Sequence, residues 1–180
     1  MLLVVAATEL ELESVRAAPT FACGVGPVEA ALQTTRALNE LKPSVLLHVG
    51  LAGARGIEPT TLVIGLEAVY CDVVDAANRM PRVERVQPDR ALLAAARAAL
   101  PEALVLPIGT SARVGAGSGF EVEAMEGFGV LRAAQLACVP AVELRVVSNS
   151  ADEADRGRWR VDDALAALGN AVPRVVAALG

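Results

Sequence analysis

Glu11, Glu126 and Asn149 stand where strand-length apolar runs give way to other structure, and in an open α/β sheet that is where ligands collect. Glu11 follows the run Leu2-Leu3-Val4-Val5-Ala6-Ala7 in the order Thr8-x-x-Glu11. Glu126 ends Val122-Glu123-Ala124-Met125-Glu126, and Asn149 ends Arg145-Val146-Val147-Ser148-Asn149. Carboxylates can act as general bases, and an amide gives hydrogen bonds without charge. Two acids in one cleft would raise the pKa of at least one. Each position also has a plain structural reading. Thr8-x-x-Glu11 is a capping box, an acid at 126 suits the first turn of a helix, and an asparagine after a strand caps a turn.

Two glycine segments lie between these positions. Gly24-Val25-Gly26 opens a helix and can turn backbone N–H groups toward a polar ligand, and Gly50-Leu51-Ala52-Gly53 ends a strand. The turn after the first run reads Thr8-Glu9-Leu10-Glu11, without the glycines of a dinucleotide fold, and no P-loop is present. His48, the sole histidine, sits inside an apolar run and is read as a packed histidine. Cys23, Cys71 and Cys138 lack metal or redox spacing. No metal and no cofactor are therefore expected, and the cysteine usage fits a reducing, cytoplasmic setting.

The elements that must position these residues alternate. Residues 2–7, 20–23, 45–49, 62–70, 104–109 and 141–147 read as strands, separated by helical periods, which predicts an α/β fold with a largely parallel, doubly covered sheet. Helices are expected from about residue 9, over 28–41, over 89–99, from about Glu123 and from about 161. The 28–41 helix carries Val28, Ala31, Leu32, Thr35, Leu38 and Leu41 on one face. Residues 148–158 read as a polar loop, and Gly115-Ala116-Gly117-Ser118-Gly119 as the most flexible segment. Trp159 is expected to anchor the last helix, and Phe120 is divided between core packing and stacking on a base.

At 180 residues with 54% hydrophobic content, the chain is expected to form a single domain, 1–180, with an ordinary core. A net charge of −5 and the absence of any basic run argue against nucleic acid as a partner. The opening run is too short to cross a bilayer and has no basic residue before it, so neither a membrane partner nor a signal peptide is expected.

Taken in order, Thr8-x-x-Glu11, Gly24-Val25-Gly26, Gly50-Leu51-Ala52-Gly53, Met125-Glu126 and Ser148-Asn149 resemble the nucleoside phosphorylase and nucleosidase superfamily, and within it the futalosine hydrolases of menaquinone biosynthesis. The resemblance implies a mixed central sheet flanked by helices, a three-layer sandwich with the pocket at strand ends. It implies Glu11 as the water-activating acid and Asn149 as the catalytic amide at the purine. Glu126, Met125, Gly26 and Gly53 become substrate-binding positions, and Glu123 is read as structural.

The reaction implied is hydrolysis of futalosine to hypoxanthine and dehypoxanthine futalosine. An amide gives NH2 donors to N7 and O6 of hypoxanthine, whereas an ionised acid would face O6 acceptor to acceptor. Futalosine also carries a carboxyphenyl group, for which Arg55, Arg79 and Arg113 are the candidate cations. Purine nucleoside phosphorylase and 5′-methylthioadenosine/S-adenosylhomocysteine nucleosidase are the alternatives; Leu51 in the second glycine loop argues against the first and Asn149 against the second. A non-catalytic purine-nucleoside-binding protein is the alternative of another class. The chain is short between Arg16 and Phe21 and around 113–120, segments that border the pocket in relatives, and Leu66 replaces an aspartate of the family pattern. The resemblance further implies a homo-oligomer, dimer or tetramer, whose neighbouring subunit can complete the pocket.

Overall fold

The computed structural model describes residues 1–13, 15–75, 79–115 and 118–180. In chain order the elements are β1 (Leu2–Ala6), α1 (Glu9–Leu12), β2 (Thr20–Ala22), α2 (Pro27–Leu41), β3 (Val45–Ala54), β4 (Leu62–Tyr70), β5 (Arg85–Val86), α3 (Arg90–Ala99), β6 (Leu104–Thr110), β7 (Val122–Ala124), α4 (Gly127–Leu136), β8 (Ala141–Ser150) and α5 (Val161–Leu179). A short 3-10 turn, Arg156–Arg158, precedes α5. No helix among the described residues is long and apolar enough to cross a membrane.

The strands make one mixed sheet. β2, β1, β3 and β8 are parallel neighbours, β8 meets β4 antiparallel, and β4 runs parallel to β6. β7 joins β6 in parallel and β3 in antiparallel sense, so β3, β8, β4, β6 and β7 close on themselves as a ring. The sheet is thus mixed, as the family resemblance implied, while its long ladders, β1 with β3, β3 with β8 and β4 with β6, are parallel as the strand pattern predicted.

Alternation along the strands divides the core between two helical layers. Leu47 and Val49 of β3 and Val142, Leu144 and Val146 of β8 pack with Leu168, Val172 and Val175 of α5. Leu3, Val5 and Leu46 face Ala30 and Ala37 of α2 and Val130 and Ala134 of α4.

Four local expectations change. The buried face of α2 is Pro27, Ala30, Thr34, Ala37 and Leu38, while Val28 and Leu32 are 68% and 63% exposed. Close helix crossing explains the choice. A Cβ on Gly129 of α4 would lie 2.5 Å from the Pro27 carbonyl, so the contact is made by small residues and the larger ones turn outward. The helix expected near Glu123 begins at Gly127, because residues 122–124 are recruited as β7 to close the ring. β3 runs on through Gly50–Ala54, and β8 through Ser150, where loops were expected. Leu66 sits at an irregularity of β4, between Gly65 and Glu67, and is 45% exposed. Of the segment expected to be most flexible, Ala116 and Gly117 lie outside the described residues.

Candidate active site

A cavity of about 240 Å³ opens beyond the carboxyl ends of β1, β3 and β8. Glu11, Gly53, Met125, Glu126 and Asn149 all line it. The structure therefore gathers five of the six expected site residues. Gly26 is the exception, and Gly24 is also absent from the lining. Gly26, with φ of 91°, spends its N–H on the Glu126 carboxylate, Oε1, at 3.1 Å. The glycine turn thus holds a cavity residue in place instead of facing the cavity itself.

The capping reading of Glu11 is realised, and the same side chain lines the cavity. Its Oε2 accepts from the Thr8 N–H at 3.0 Å and the Thr8 hydroxyl at 2.9 Å, closing the capping box of α1. Its Oε1 accepts from the Leu51 N–H at 3.0 Å. A carboxylate has about four acceptor positions, so these three donors fix the group and, among the described residues, leave one position without a donor.

Asn149 owes its place to a β-bulge. Ala52 pairs with Val147 and Gly53 with Asn149, so Ser148 is the extra residue on β8. A bulge re-aims side chains, and here both Ser148 and Asn149 line the cavity. Oδ1 of Asn149 accepts from the Ser148 hydroxyl at 2.8 Å, and Nδ2 donates to the Ser150 carbonyl at 2.8 Å. That carbonyl can only accept, which fixes which end of the amide is nitrogen. One amide hydrogen remains for a ligand, where two were expected.

Behind Glu11 and Glu126 lies a buried ionic cluster to which the sequence reading gave no role. Arg145, 0% exposed, donates from Nε to Glu143 Oε1 at 2.8 Å and from Nη1 to the Leu51 carbonyl at 3.3 Å. Its Nη2 lies 2.5 Å from His48 Nε2 and 3.6 Å from Glu126 Oε2. Because an arginine only donates, His48 Nε2 must accept, and Nδ1 carries the proton given to the Val5 carbonyl 3.0 Å away. Burial and the adjacent guanidinium hold the His48 pKa well below the ordinary imidazole value. The expected packed histidine is thus also a neutral support for Arg145.

Burial alone would lower the Arg145 pKa, but Glu143, Glu126 and Glu11 together raise it. Burial pushes the Glu126 carboxyl up, with Glu11 and Glu143 acting in the same direction against Arg145 and the Gly26 N–H. Burial likewise pushes the nearby Cys23 thiol up to about 12, which leaves it a protonated, unreactive core group.

The sequence signal for this cluster was present. Glu143 and Arg145 are opposite charges two apart in an otherwise apolar strand, hence on one face. Gly50 pairs with Arg145, and a Cβ there would collide with the guanidinium and lie 2.7 Å from Glu11 Oε1.

The three candidate cations separate. Arg55 donates from Nη1 to Glu123 at 3.2 Å and from Nε to Asp152 at 3.2 Å, and it does not line the cavity. Exposed Arg79 is also absent from the lining. Arg113 lines the mouth together with Val114 and Trp159. Trp159, two residues before α5, lines the cavity; its Nε1 donates to the Glu153 carbonyl and the Arg156 guanidinium lies over its ring. Phe120 is half-buried against Gly109 and does not line the cavity. Among the described residues no group of three or more His, Cys, Asp or Glu side chains is arranged to hold a metal ion.

A phosphorylase superfamily family model matches residues 20–123. Futalosine hydrolase of Streptomyces coelicolor is 35% identical, with 88% of this chain and 78% of that protein covered. The chain belongs to the phosphorylase superfamily and to its futalosine hydrolase family. Solved structures share the fold of this nucleosidase. Futalosine hydrolase of Helicobacter pylori superposes with a TM-score of 0.87 at 17% identity, covering 98% of this chain and 97% of that one. The 5′-methylthioadenosine/S-adenosylhomocysteine nucleosidase of Neisseria meningitidis, in complex with methylthio-immucillin-A, gives 0.85 at 22% identity, with 97% of each chain covered.

Proposed function

We propose that residues 1–180 form one nucleosidase domain that hydrolyses futalosine to hypoxanthine and dehypoxanthine futalosine, a step of menaquinone biosynthesis. The observation that carries this reading is the convergence of Glu11, Glu126 and Asn149 on one cavity. Cleaving the ribosyl C–N bond places positive charge on the sugar and negative charge on the departing purine, and the cavity meets both. Glu11, with its open acceptor position, orients a water at the anomeric carbon and takes its proton. Glu126, held by Gly26 and Arg145, accepts from the ribose hydroxyls. Asn149 gives its remaining N–H to the purine as charge builds there. Met125 and Gly53 line the substrate's path, and Gly26 acts through Glu126.

Hydrolysis is favoured over phosphorolysis by the second glycine loop. Leu51 has no side-chain donor for phosphate, and its backbone N–H is engaged by Glu11. Both cations beside that loop are already engaged: Arg55 is paired with Glu123 and Asp152, and buried Arg145 with Glu143 and Glu126. At the outer end, Arg113 and the Trp159 ring suit the anionic aryl group of the substrate. The same reading makes the enzyme a cytoplasmic homo-oligomer, with Val25, Val28 and Leu32 as an apolar strip beside the cavity mouth.

Replacement of Glu11 tests the assignment. Glu11→Gln is expected to lower kcat by about 10²–10⁴-fold with KM little changed, since a general base contributes about that much. A near-normal kcat in that variant contradicts the role given to Glu11.

A further inference from the structure

His48, Glu143 and Arg145 are fully buried polar side chains in the interior of the sheet. His48 pairs with Glu143 and Gly50 with Arg145 across β3 and β8, so the three share one face. Glycines of three elements clear space for them. A Cβ on Gly50 would collide with the guanidinium, one on Gly65 would lie 3.3 Å from Glu143 Cβ, and one on Gly127 2.5 Å from Glu143 Oε1. Glu143 Oε2 is sealed there without a partner. Apolar packing often gives as much stability as a buried ion pair, and a sealed, unpaired oxygen adds a further cost. Stability is therefore a poor account of the cluster, and its approach to Glu126 is a better one.

Three acceptors hold the guanidinium: Glu143 Oε1 at Nε, the Leu51 carbonyl at Nη1 and neutral His48 Nε2 at Nη2. So held, Nη2 stops 3.6 Å from Glu126 Oε2, too far for a hydrogen bond but near enough for its charge to act. The Gly26 N–H occupies the other oxygen, Oε1. Among the described residues Oε2 has no hydrogen-bond donor, and it remains a charged acceptor.

We infer that His48 and Glu143 are positioning residues for the ribose: they hold Arg145 back from Glu126, whose Oε2 stays free to accept from a sugar hydroxyl. This rests on the nucleosidase reading above. Without the His48 acceptor, Nη2 turns to Glu126 Oε2, the carboxylate oxygen already beside it, and takes the position that a hydroxyl needs.

His48→Leu removes that acceptor at similar volume. His48→Gln restores one, its amide oxygen standing as many bonds from Cβ as Nε2. Turnover of futalosine by the full chain, with thermal melting as the folding check, reads the effect. His48→Leu is expected to raise KM about tenfold or more, the loss of one hydrogen bond to a charged group, with kcat changed less and His48→Gln close to wild type. Glu143→Gln removes the charge at Nε without changing shape; it is expected to raise KM in the same direction, and it carries the test if His48→Leu does not fold. In a Glu126→Gln background the effect of His48→Leu should largely vanish, because the guarded carboxylate oxygen is replaced. The same loss in both backgrounds, a His48→Gln no better than His48→Leu, or a wild-type KM in either folded variant overturns the positioning role and leaves the nucleosidase reading intact. A wild type that releases no hypoxanthine from futalosine overturns both.

Discussion

Glu126 carries a cost that belongs to its function. Burial raises its pKa, so the folded chain binds that proton more tightly than the unfolded chain does. The proton-linked stability is fully present below the ordinary carboxyl value and is lost as pH rises through the elevated folded value. At neutral pH the ionised group is held at a net penalty. A neutral amide removes that penalty and can still accept the Gly26 N–H. Glu126→Gln is therefore expected to melt higher than wild type near pH 7, the gap closing as pH falls below the carboxyl range, with activity reduced. Melting curves across that range check the sign, and a gap that widens toward acid contradicts it.

Strand β3 shows what the sequence disclosed at the level of elements and what it concealed. Its apolar start was legible as a strand, and Gly50-Leu51-Ala52-Gly53 was legible as part of the site. That these glycines continue the strand was not, because glycine usually signals a turn. Their reason is spatial: Arg145 and Glu11 occupy the volume over Gly50, and Asn149 and Ala151 crowd Gly53. The bulge that aims Ser148 and Asn149 left no local signal either, since register depends on the partner strand. In α2 the hydrophobic period identified the helix but chose the wrong face, because the crossing with α4 selects small residues. Gly50→Ala follows from this packing. Overpacking of this kind costs about 1–3 kcal/mol, so the variant should melt several degrees lower and lose most activity through displaced Glu11 and Arg145. Wild-type melting and turnover in the variant would show that the space over Gly50 is not needed.

Across the whole molecule, the ring of β3, β8, β4, β6 and β7 brings residues 11, 126 and 149 to one cavity although more than a hundred positions separate the first from the last two. Family resemblance made that convergence legible; of the charge cluster behind it the sequence displayed only Glu143 and Arg145 two apart, and their meeting with His48 and Glu126 is a product of the fold. The outward-facing Val28 and Leu32 bear on assembly. Light scattering is expected to give at least a dimer, and Leu32→Glu to shift it toward monomer; a wild-type monomer contradicts the proposed homo-oligomer. The central claim is that water, oriented by Glu11, takes the place of the departing purine. Turnover of futalosine in heavy-oxygen water with phosphate present, followed by mass spectrometry of the sugar product, tests it most directly. One heavy oxygen in dehypoxanthine futalosine and a rate independent of phosphate are the results expected; a phosphorylated sugar product, or base release only when phosphate is added, would contradict the account.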